Sequence, residues 1–512
     1  MITGTGAQRL PARGLSLRQR RLRESYRAGP LQPPPGAAVG HPLADPAVSR
    51  ALRARAEEIE AAFARIEPEL RSLAARQFEE SFAVHAAARV REEFGLRLPE
   101  GAFAARWSAP LDARRLYARL VIGTFCRLIE RNFDRGHSTL SEGTLAEELI
   151  RRWGFHAIDV TPCADGRLSG VVDYILRIPP SVIAYRKSYA GAMFDVEESL
   201  RHWETVELGR WREGKPNPPN SPTSYLKLGV YHFSSIDPRH QGCAAHHSDE
   251  ALAADALQGR LRQFEQAVRQ THRCGACVAT LLVGVDTDTD AIRVHVPDAT
   301  GESAAERCVD NLGLYERTRE LGREAAKEAI RAAVAACAGT AADDAASEGM
   351  RWFCAYLLKN NIAQIDAVRG WHGGPYSDRG HTERLIVVGD AVDDVQLRNL
   401  AFQAQMDTVE EGSIDLDIGI GILRGLHEPR SLAVPVLVHE RFDPRIPGAR
   451  ERAMNRARRL KKAIESRHAA LAASGGMYVQ AVVRAGESAV LEEVEPMAEG
   501  ADGRAAHAEI HP

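Results

Sequence analysis

Two short apolar stretches, each followed by residues that bind soft metal ions, constrain the fold of this chain more than any other feature. The first stretch, residues 157–160, is followed by Cys163, and the second, residues 225–231, is followed by His232 and then by Cys243. Both stretches have the β-branched and aliphatic composition of buried strands. Because open α/β sheets place ligand sites at the carboxyl ends of their strands, we expect the two ends to meet.

The three residues form a plausible zinc set. Two thiolates and one imidazole leave a fourth coordination position open, which is typical of a catalytic rather than a structural zinc site. Ten residues separate His232 from Cys243, so the intervening loop must fold back. Cys243 precedes a predicted helix that begins near residue 250, and a helix N-terminus favours thiolate. Three nearby histidines remain rival ligands: His240, His246 and His247.

The segment Cys163-Ala164-Asp165-Gly166-Arg167 places an acidic residue, Asp165, and a basic residue, Arg167, directly after the first ligand. A guanidinium two residues beyond a carboxylate can form a bidentate pair with it and keep it ionised. Beside a metal ion, Asp165 would then accept a hydrogen bond at the open position. Taken alone, the motif is equally consistent with a surface turn after a strand.

Two other motifs carry less chemistry. Cys274 and Cys277 form a Cys-x-x-Cys pair, but no second such pair completes a zinc ribbon, so a structural role is favoured. Residues 286–290 alternate Asp and Thr like the start of a calcium loop. The glycine required at its sixth position is Ala291, which excludes that site.

The length and composition predict several domains. A chain of 512 residues exceeds a single core. Residues 1–45 are rich in proline and hold seven arginines against one glutamate within the first 40 positions, so we expect a disordered basic arm. Residues 46–138 show helical periodicity, residues 139–380 form the mixed domain with the metal ligands, and residues 381–512 form a second mixed domain.

The mixed regions alternate predicted strands and helices. Beyond the two ligand-bearing strands, we expect strands at 171–176, 278–285, 291–296, 384–390, 415–422, 433–438 and 477–483, and helices at 250–272, 314–336, 350–368 and 449–471. The order in the last domain echoes the middle one. Its lack of cysteine excludes a second thiolate site, so the pattern leaves a degenerate copy and an unrelated α/β cap equally open.

Several classes of protein are excluded on composition. No apolar run is long enough to span a membrane, and the first residues lack the apolar core of a secretory signal. Eight cysteines are too few for a disulfide framework, which favours a reducing compartment. The arm could bind an anionic partner, but no nucleic-acid fold signature follows it, so we expect no nucleic-acid partner.

The residues quoted above resemble a known family. A Cys-x-Asp-x-Arg motif after a strand, with a later His and Cys, resembles β-type carbonic anhydrases. The long His232–Cys243 spacing, the helical N-terminal module, the thiol-free last domain and the basic arm resemble its divergent, epsilon-class branch from the carboxysome shell. The resemblance implies an α/β and α+β fold with a β-carbonic-anhydrase-like catalytic domain and a diverged C-terminal duplicate that lacks the metal site.

The same resemblance implies roles for individual residues. One Zn²⁺ per chain would be bound by Cys163, His232 and Cys243, with Asp165 and Arg167 as the catalytic pair. His381 is similar in setting to a family histidine and is the expected proton carrier, although His372 is close in sequence.

The resemblance also implies a cellular role. The enzyme would interconvert carbon dioxide and bicarbonate, working as a bicarbonate dehydratase that supplies Rubisco on the inner face of the carboxysome shell in the bacterial cytoplasm. Its arm would bind Rubisco or shell protein, and the chain would form a homodimer or higher homo-oligomer. Two alternatives remain: a structural zinc protein that scaffolds a microcompartment, and a zinc hydrolase of small amides or esters.

Overall fold

The structure, a computed structural model, describes most of the chain between residues 40 and 494. The described residues are 40–98, 100–103, 111–132, 143–215, 223–271, 278–298, 301–339, 345–378, 380–390, 392, 395, 397–406, 408, 413–486 and 488–494. The predicted disordered arm falls almost entirely, and Cys274 and Cys277 fall wholly, outside these residues. Those predictions therefore stay predictions.

A helical module opens the described chain and confirms the periodicity seen in the sequence. It contains α1 (Pro46–Ala64), α2 (Ile66–Ala75), α3 (Phe82–Phe94) and α4 (Ala113–Asn132). Asp45 caps α1 by accepting hydrogen bonds from the backbone N–H groups of Ala47 and Val48. Arg65 separates α1 from α2, and Pro68 lies in the first turn of α2, where proline is tolerated. The module shares its core with the second sheet described below.

The first sheet carries both ligand-bearing strands. After α5 (Gly143–Arg152) come six strands: β1 (Phe155–Pro162), β2 (Ile183–Arg186), β3 (Ser224–Phe233), β4 (Val278–Asp286), β5 (Ile292–His295) and β6 (Val309–Asp310). Their order is β2-β1-β3-β4-β5-β6, parallel from β2 to β4 and antiparallel beyond. The connecting helices are α6 (Val196–Arg212) and α7 (Glu250–Thr271). Parallel strands β1 and β3 therefore end at the same edge.

Helices complete the first sheet's layer, and two predictions there are wrong. The expected helix 314–336 is two helices, α8 (Asn311–Thr318) and α9 (Arg323–Ala338), interrupted before Gly322, a poor helix former. They are followed by α10 (Ala345–His372). The expected strand at 171–176 is a turn of π-helix, Val171–Leu176. A short apolar run does not distinguish a strand from a buried helix. Here the run packs as a helical turn against α10, whose Asn361 side chain donates a hydrogen bond to the Ile175 carbonyl.

The second sheet has five strands. They are β7 (Leu385–Gly389), β8 (Ala401–Ala404), β9 (Val434–Phe442), β10 (Met477–Ala485) and β11 (Leu491–Glu493). Between them lie α11 (Ser413–His427), α12 (Ala449–Arg467) and α13 (Ala469–Ala473). The predicted strand at 415–422 is wrong, because it forms part of α11. Its apolar residues alternate, but the buried ones, Leu416, Ile420 and Leu423, recur at helical spacing.

The two sheets have the same strand order over five strands. The second runs β8-β7-β9-β10-β11, parallel except for β11, and matches β2-β1-β3-β4-β5 position by position. Helix α11 connects β8 to β9 as α6 connects β2 to β3, and α12 connects β9 to β10 as α7 connects β3 to β4.

The segment that follows β1 contacts the second sheet directly. The backbone N–H of Asn399 donates to the Gly166 carbonyl at 2.7 Å, and the Ser169 hydroxyl donates to the Ala401 carbonyl at 2.9 Å. The turn after the first ligand strand is thus enclosed between two sheets. No helix in the described ranges is long and apolar enough to cross a membrane.

Candidate metal centre

The three predicted ligands converge at the carboxyl edge of the first sheet. Pro162, the last residue of β1, pairs with Val230 of β3, and the Cys163 N–H continues the ladder by donating to the Val230 carbonyl at 3.0 Å. Cys163, His232 and Cys243 are all buried, and their ligand atoms lie within 4.8 Å of one another. The loop after His232 folds back as expected and returns Cys243 to the same point.

The donor set fits a zinc ion. The two Sγ atoms are 3.9 Å apart, close to the roughly 3.8 Å that two thiolates span around tetrahedral zinc at a Zn–S distance of about 2.3 Å. Both ring nitrogens of His232 lack a hydrogen-bond partner among the described residues, although the side chain is buried. A buried imidazole without partners is costly unless a ligand satisfies it.

The two thiols differ electrostatically. The pKa of the Cys243 thiol is lowered by its contact with the Cys163 thiol and by the backbone N–H groups of Ala245 and His246. The same thiol contact, together with burial, raises the pKa of Cys163. These N–H groups belong to a short 3₁₀ turn, Ala244–His246, which precedes α7. The local turn, rather than the predicted helix N-terminus, therefore stabilises the Cys243 thiolate.

The rival histidines lie outside the cluster. The exposed His240 ring is 2.8 Å from Asp237, and His247 is also exposed. The buried His246 directs its Nε2 toward the Gly191 carbonyl, 3.4 Å away. The structure therefore brings together the three residues preferred from the sequence and none of these alternatives.

Asp165 and Arg167 form a bidentate ion pair beside the cluster. Asp165 Oδ1 accepts from Nε of Arg167 at 2.9 Å and Oδ2 accepts from Nη2 at 2.7 Å. Oδ2 also lies 3.4 Å from Nε2 of His232. Burial alone would raise the pKa of Asp165, but the charges of Arg167, His381 and His232 hold it well below its usual range. Asp165 is therefore an ionised hydrogen-bond acceptor facing the cluster.

His381 lies at the same place, held by a residue that the sequence analysis missed. Its Nδ1 is 2.8 Å from Oε1 of the buried Glu383, and its Nε2 is 3.8 Å from Oδ2 of Asp165. Burial opposes the charged ring, but Asp165 and Glu383 outweigh it and raise the pKa of His381. A lone Glu two residues after a His gives no sequence signal. His372, the alternative, packs against Trp371 and Tyr376.

Asp165, His381 and Glu383 could themselves be considered as a metal set. Both Asp165 oxygens are already bonded to Arg167, and the His381–Glu383 hydrogen bond occupies the Nδ1 side of the ring. This cluster therefore resembles a hydrogen-bonded relay more than a second cation site.

A small pocket lies over the cluster, and its walls come from both sheet regions. The carboxyl edge of the first sheet contributes Cys163, Asp165, His232 and Cys243 together with several alanines, and His381 precedes β7. The second sheet's layer contributes an apolar wall of Phe402, Ile418 and Ile422. The sequence analysis missed these residues, because nothing local indicates which part of the chain faces a distant pocket.

Comparisons with known proteins match the helical module and both sheet regions of the chain. Three family profiles match: Carboxysome Shell Carbonic Anhydrase N-terminal over residues 41–133, catalytic domain over 145–381, and C-terminal over 382–498. The carboxysome shell carbonic anhydrase of Halothiobacillus neapolitanus is 40% identical over 84% of this chain and 85% of its own length. The carboxysome shell carbonic anhydrase of Parasynechococcus marenigrum is 42% identical over 87% of this chain and 76% of its own length.

A third relative extends the same result. The carboxysome shell carbonic anhydrase of Prochlorococcus marinus (strain MIT 9313) is 40% identical over 88% of this chain and 87% of its own length. The three profiles together cover residues 41–133 and 145–498, and the relatives are at least 40% identical over most of both lengths. The chain therefore belongs to the carboxysome shell carbonic anhydrase family, and it is an enzyme of the carbonic anhydrase class.

Proposed function

We propose that this protein catalyses the zinc-dependent, reversible hydration of carbon dioxide to bicarbonate and a proton. The observation that carries the proposal is the buried Cys163–His232–Cys243 cluster beside the ionised Asp165 carboxylate. One Zn²⁺ per chain would be held by those three residues. When bound, zinc supplies hydroxide at neutral pH by acidifying a water molecule.

Asp165 orients the reacting oxygen. Its Oδ1 accepts two bonds, from the backbone N–H and Nε of Arg167, so only Oδ2 is directed at the ligand cluster. Because Arg167 keeps this carboxylate charged, Oδ2 can accept a hydrogen bond from the nucleophile. That hydrogen bond orients the nucleophile so that a lone pair on the nucleophile's oxygen points at carbon dioxide. Arg167 is buried and bonded throughout, so it acts by holding Asp165.

The apolar wall suits a nonpolar substrate. Carbon dioxide has no hydrogen to donate and weak acceptors, so Phe402, Ile418 and Ile422 can hold it without leaving polar groups unpaired. The same wall excludes water from one side of the site, which strengthens the electrostatic action of Asp165.

His381 is our candidate for the proton carrier. Its Nε2 faces Oδ2 of Asp165 at 3.8 Å, a distance that a small ring movement can close to a direct hydrogen bond, and its side chain is one-quarter exposed. An imidazole that reaches both the site and solvent can take up a proton at one and release it at the other.

The cellular context follows from the family. We infer that the enzyme works inside the carboxysome, mainly as a bicarbonate dehydratase that supplies carbon dioxide to Rubisco for fixation. Shell proteins and Rubisco are the proposed partners, bound through the basic arm at residues 1–45. We further infer assembly into a homodimer or a higher homo-oligomer.

We infer that the second sheet is a diverged duplicate of the β-carbonic-anhydrase-like first one. The shared strand order supports this. A local feature does too: Asp390 follows β7 and its N–H donates to the His439 carbonyl on β9 at 2.8 Å, as Cys163 donates to Val230 on β3. The position of the first thiol ligand is thus occupied by a carboxylate, which is consistent with a lost metal site.

The test is a stopped-flow carbon dioxide hydration assay on the purified protein, with metal analysis before and after chelation. We expect turnover that chelator abolishes and zinc restores. Asp165→Asn should lower turnover about 100-fold, within the range typical of a positioned acid–base group, while zinc content stays at one per chain. Zinc without turnover would instead support a structural metal, and loss of zinc from Asp165→Asn would make Asp165 a ligand.

A further inference from the structure

The loop that follows β4 contacts the catalytic pair. Residues 286–290 are all buried, although they alternate Asp and Thr. The hydroxyl of Thr287 donates to the Phe233 carbonyl at 3.1 Å and accepts a hydrogen bond from Nη1 of Arg167 at 3.2 Å. Phe233 follows the metal-ligand candidate His232. One side chain thus joins the strand that carries a ligand to the guanidinium that holds Asp165.

The orientation of Arg167 depends on few contacts. Its Nε and Nη2 bind Asp165, and its Nη1 donates to the Gln241 carbonyl at 2.8 Å and to Thr287. The guanidinium is buried, so water does not replace a lost partner readily. Without the Thr287 hydroxyl, Nη1 keeps only a carbonyl on the loop before Cys243. The guanidinium plane can then rotate, and the Asp165 carboxylate bound to it rotates as well.

The loop is fixed from the second sheet's side. Nη2 of Arg398 donates to the Thr287 carbonyl at 2.9 Å, and its Nη1 pairs with Asp378 at 2.9 Å. The Arg398 guanidinium also lies 3.9 Å from the ring centre of Tyr376, whose hydroxyl donates to Asp290 in the same loop. The Thr287 carbonyl is therefore held by Arg398, whereas the Thr287 N–H and hydroxyl both donate to the Phe233 carbonyl.

We propose that Thr287 is a positioning residue for the Asp165–Arg167 pair and that Arg398 holds it in place from the C-terminal region. The proposal rests on the proposed role of that pair in turnover. It gives the metal-free C-terminal region a second contribution to the reaction, separate from the apolar wall of the pocket.

Thr287→Val removes the hydroxyl while keeping the shape of the side chain. We expect kcat for carbon dioxide hydration to fall about tenfold, as loss of one hydrogen bond to a charged group implies, with KM nearly unchanged. Zinc content should stay at one per chain. Thr287→Ser restores the hydroxyl and should return kcat to within about twofold of the wild-type value, since one hydrogen bond is regained.

Thr289→Val is the matched control. Thr289 lies in the same loop and is also buried, and its hydroxyl donates to Asp286 at 2.6 Å and accepts from the Ala291 N–H at 3.2 Å, so neither described partner is Arg167. Thermal unfolding of the two valine variants should shift by similar amounts, while only Thr287→Val loses kcat. Equal kcat in both valine variants, or failure of serine to restore it, would overturn the proposal.

A second variant covers the case in which Thr287→Val does not fold. Arg398→Met keeps the Thr287 hydroxyl but removes the hydrogen bond to the Thr287 carbonyl, together with the Asp378 ion pair and the Tyr376 contact. We expect kcat to fall about three- to tenfold at unchanged zinc content, because the Thr287 carbonyl loses its donor. Unchanged kcat in that variant would refute the role of Arg398. If the wild-type enzyme itself lacks chelator-sensitive turnover, the proposed function fails instead, and that result is distinct.

Discussion

Gly166 provides the sharpest test of how the catalytic turn packs. It lies between Asp165 and Arg167, and a Cβ added there would lie 2.4 Å from Cγ and 2.6 Å from Oε1 of Glu383. Glu383 is 1% exposed and bonded to His381. In Gly166→Ala, the Glu383 side chain must therefore retreat by about 1 Å to reach an ordinary contact distance.

The cost of this change follows from the geometry. Overpacking a buried contact costs about 1–3 kcal/mol, and loss of a hydrogen bond to a charged group costs about 1.5–3 kcal/mol. A retreat of that size lengthens the 2.8 Å bond to His381 beyond hydrogen-bonding distance. We expect a free energy of unfolding lower by about 2–4 kcal/mol, together with a kcat lowered at least about tenfold because His381 loses its support.

The assay combines thermal unfolding with stopped-flow carbon dioxide hydration. Gly259→Ala is the control, because a Cβ at this position of α7 meets nothing within 4 Å, and it should stabilise the helix by up to about 1 kcal/mol without changing turnover. In the double variant Gly166→Ala/Glu383→Ala, stability should recover more than activity. A Gly166→Ala enzyme with wild-type stability and turnover would refute the close packing of Glu383 on the catalytic turn.

Three further predictions concern burial and the pocket. Burial raises the pKa of the Asp415 carboxyl from 3.8 to about 6. The protonated carboxyl therefore contributes fully to the free energy of unfolding below pH 3.8, and about 3 kcal/mol of this contribution is lost as the pH rises through 6. Asp415→Asn should abolish that loss, and a stability difference from wild type that is constant between pH 4 and 7 in urea unfolding would contradict this. Lys227→Met leaves the buried Asp159 without its ammonium partner at 2.8 Å and should cost about 3–5 kcal/mol in thermal unfolding. A loss below about 1 kcal/mol would show that the pair is not buried as described. Ile418→Trp should fill the pocket and lower kcat/KM at least about tenfold at unchanged zinc content, whereas full turnover would show that this wall does not contact carbon dioxide.

Local composition predicted most of the strands and the ligands that follow them, because continuous runs of β-branched and aliphatic residues are typical of strands buried on both faces. The strand ending before Cys163 and the strand carrying His232 were placed within two residues of their observed bounds. The two wrong strand predictions share one cause. Residues 171–176 and 415–422 are apolar runs that fit either a strand or a buried helix, and contacts with distant elements decided both.

The sequence by itself determined the chemistry of the site: two thiols, an imidazole, and a carboxylate two residues from a guanidinium. Those identities are local, and their order along two strands brings them to one sheet edge. Only the tertiary structure decided what surrounds them, namely the Glu383 support of His381, the Thr287 contact with Arg167 and the apolar wall that includes Phe402. Thr287 and Arg167 lie 120 positions apart, and Phe402 reaches the pocket through the packing of the second sheet. Glu383 is only two residues from His381, but nothing in the local sequence indicates that the two side chains turn toward each other and toward Asp165.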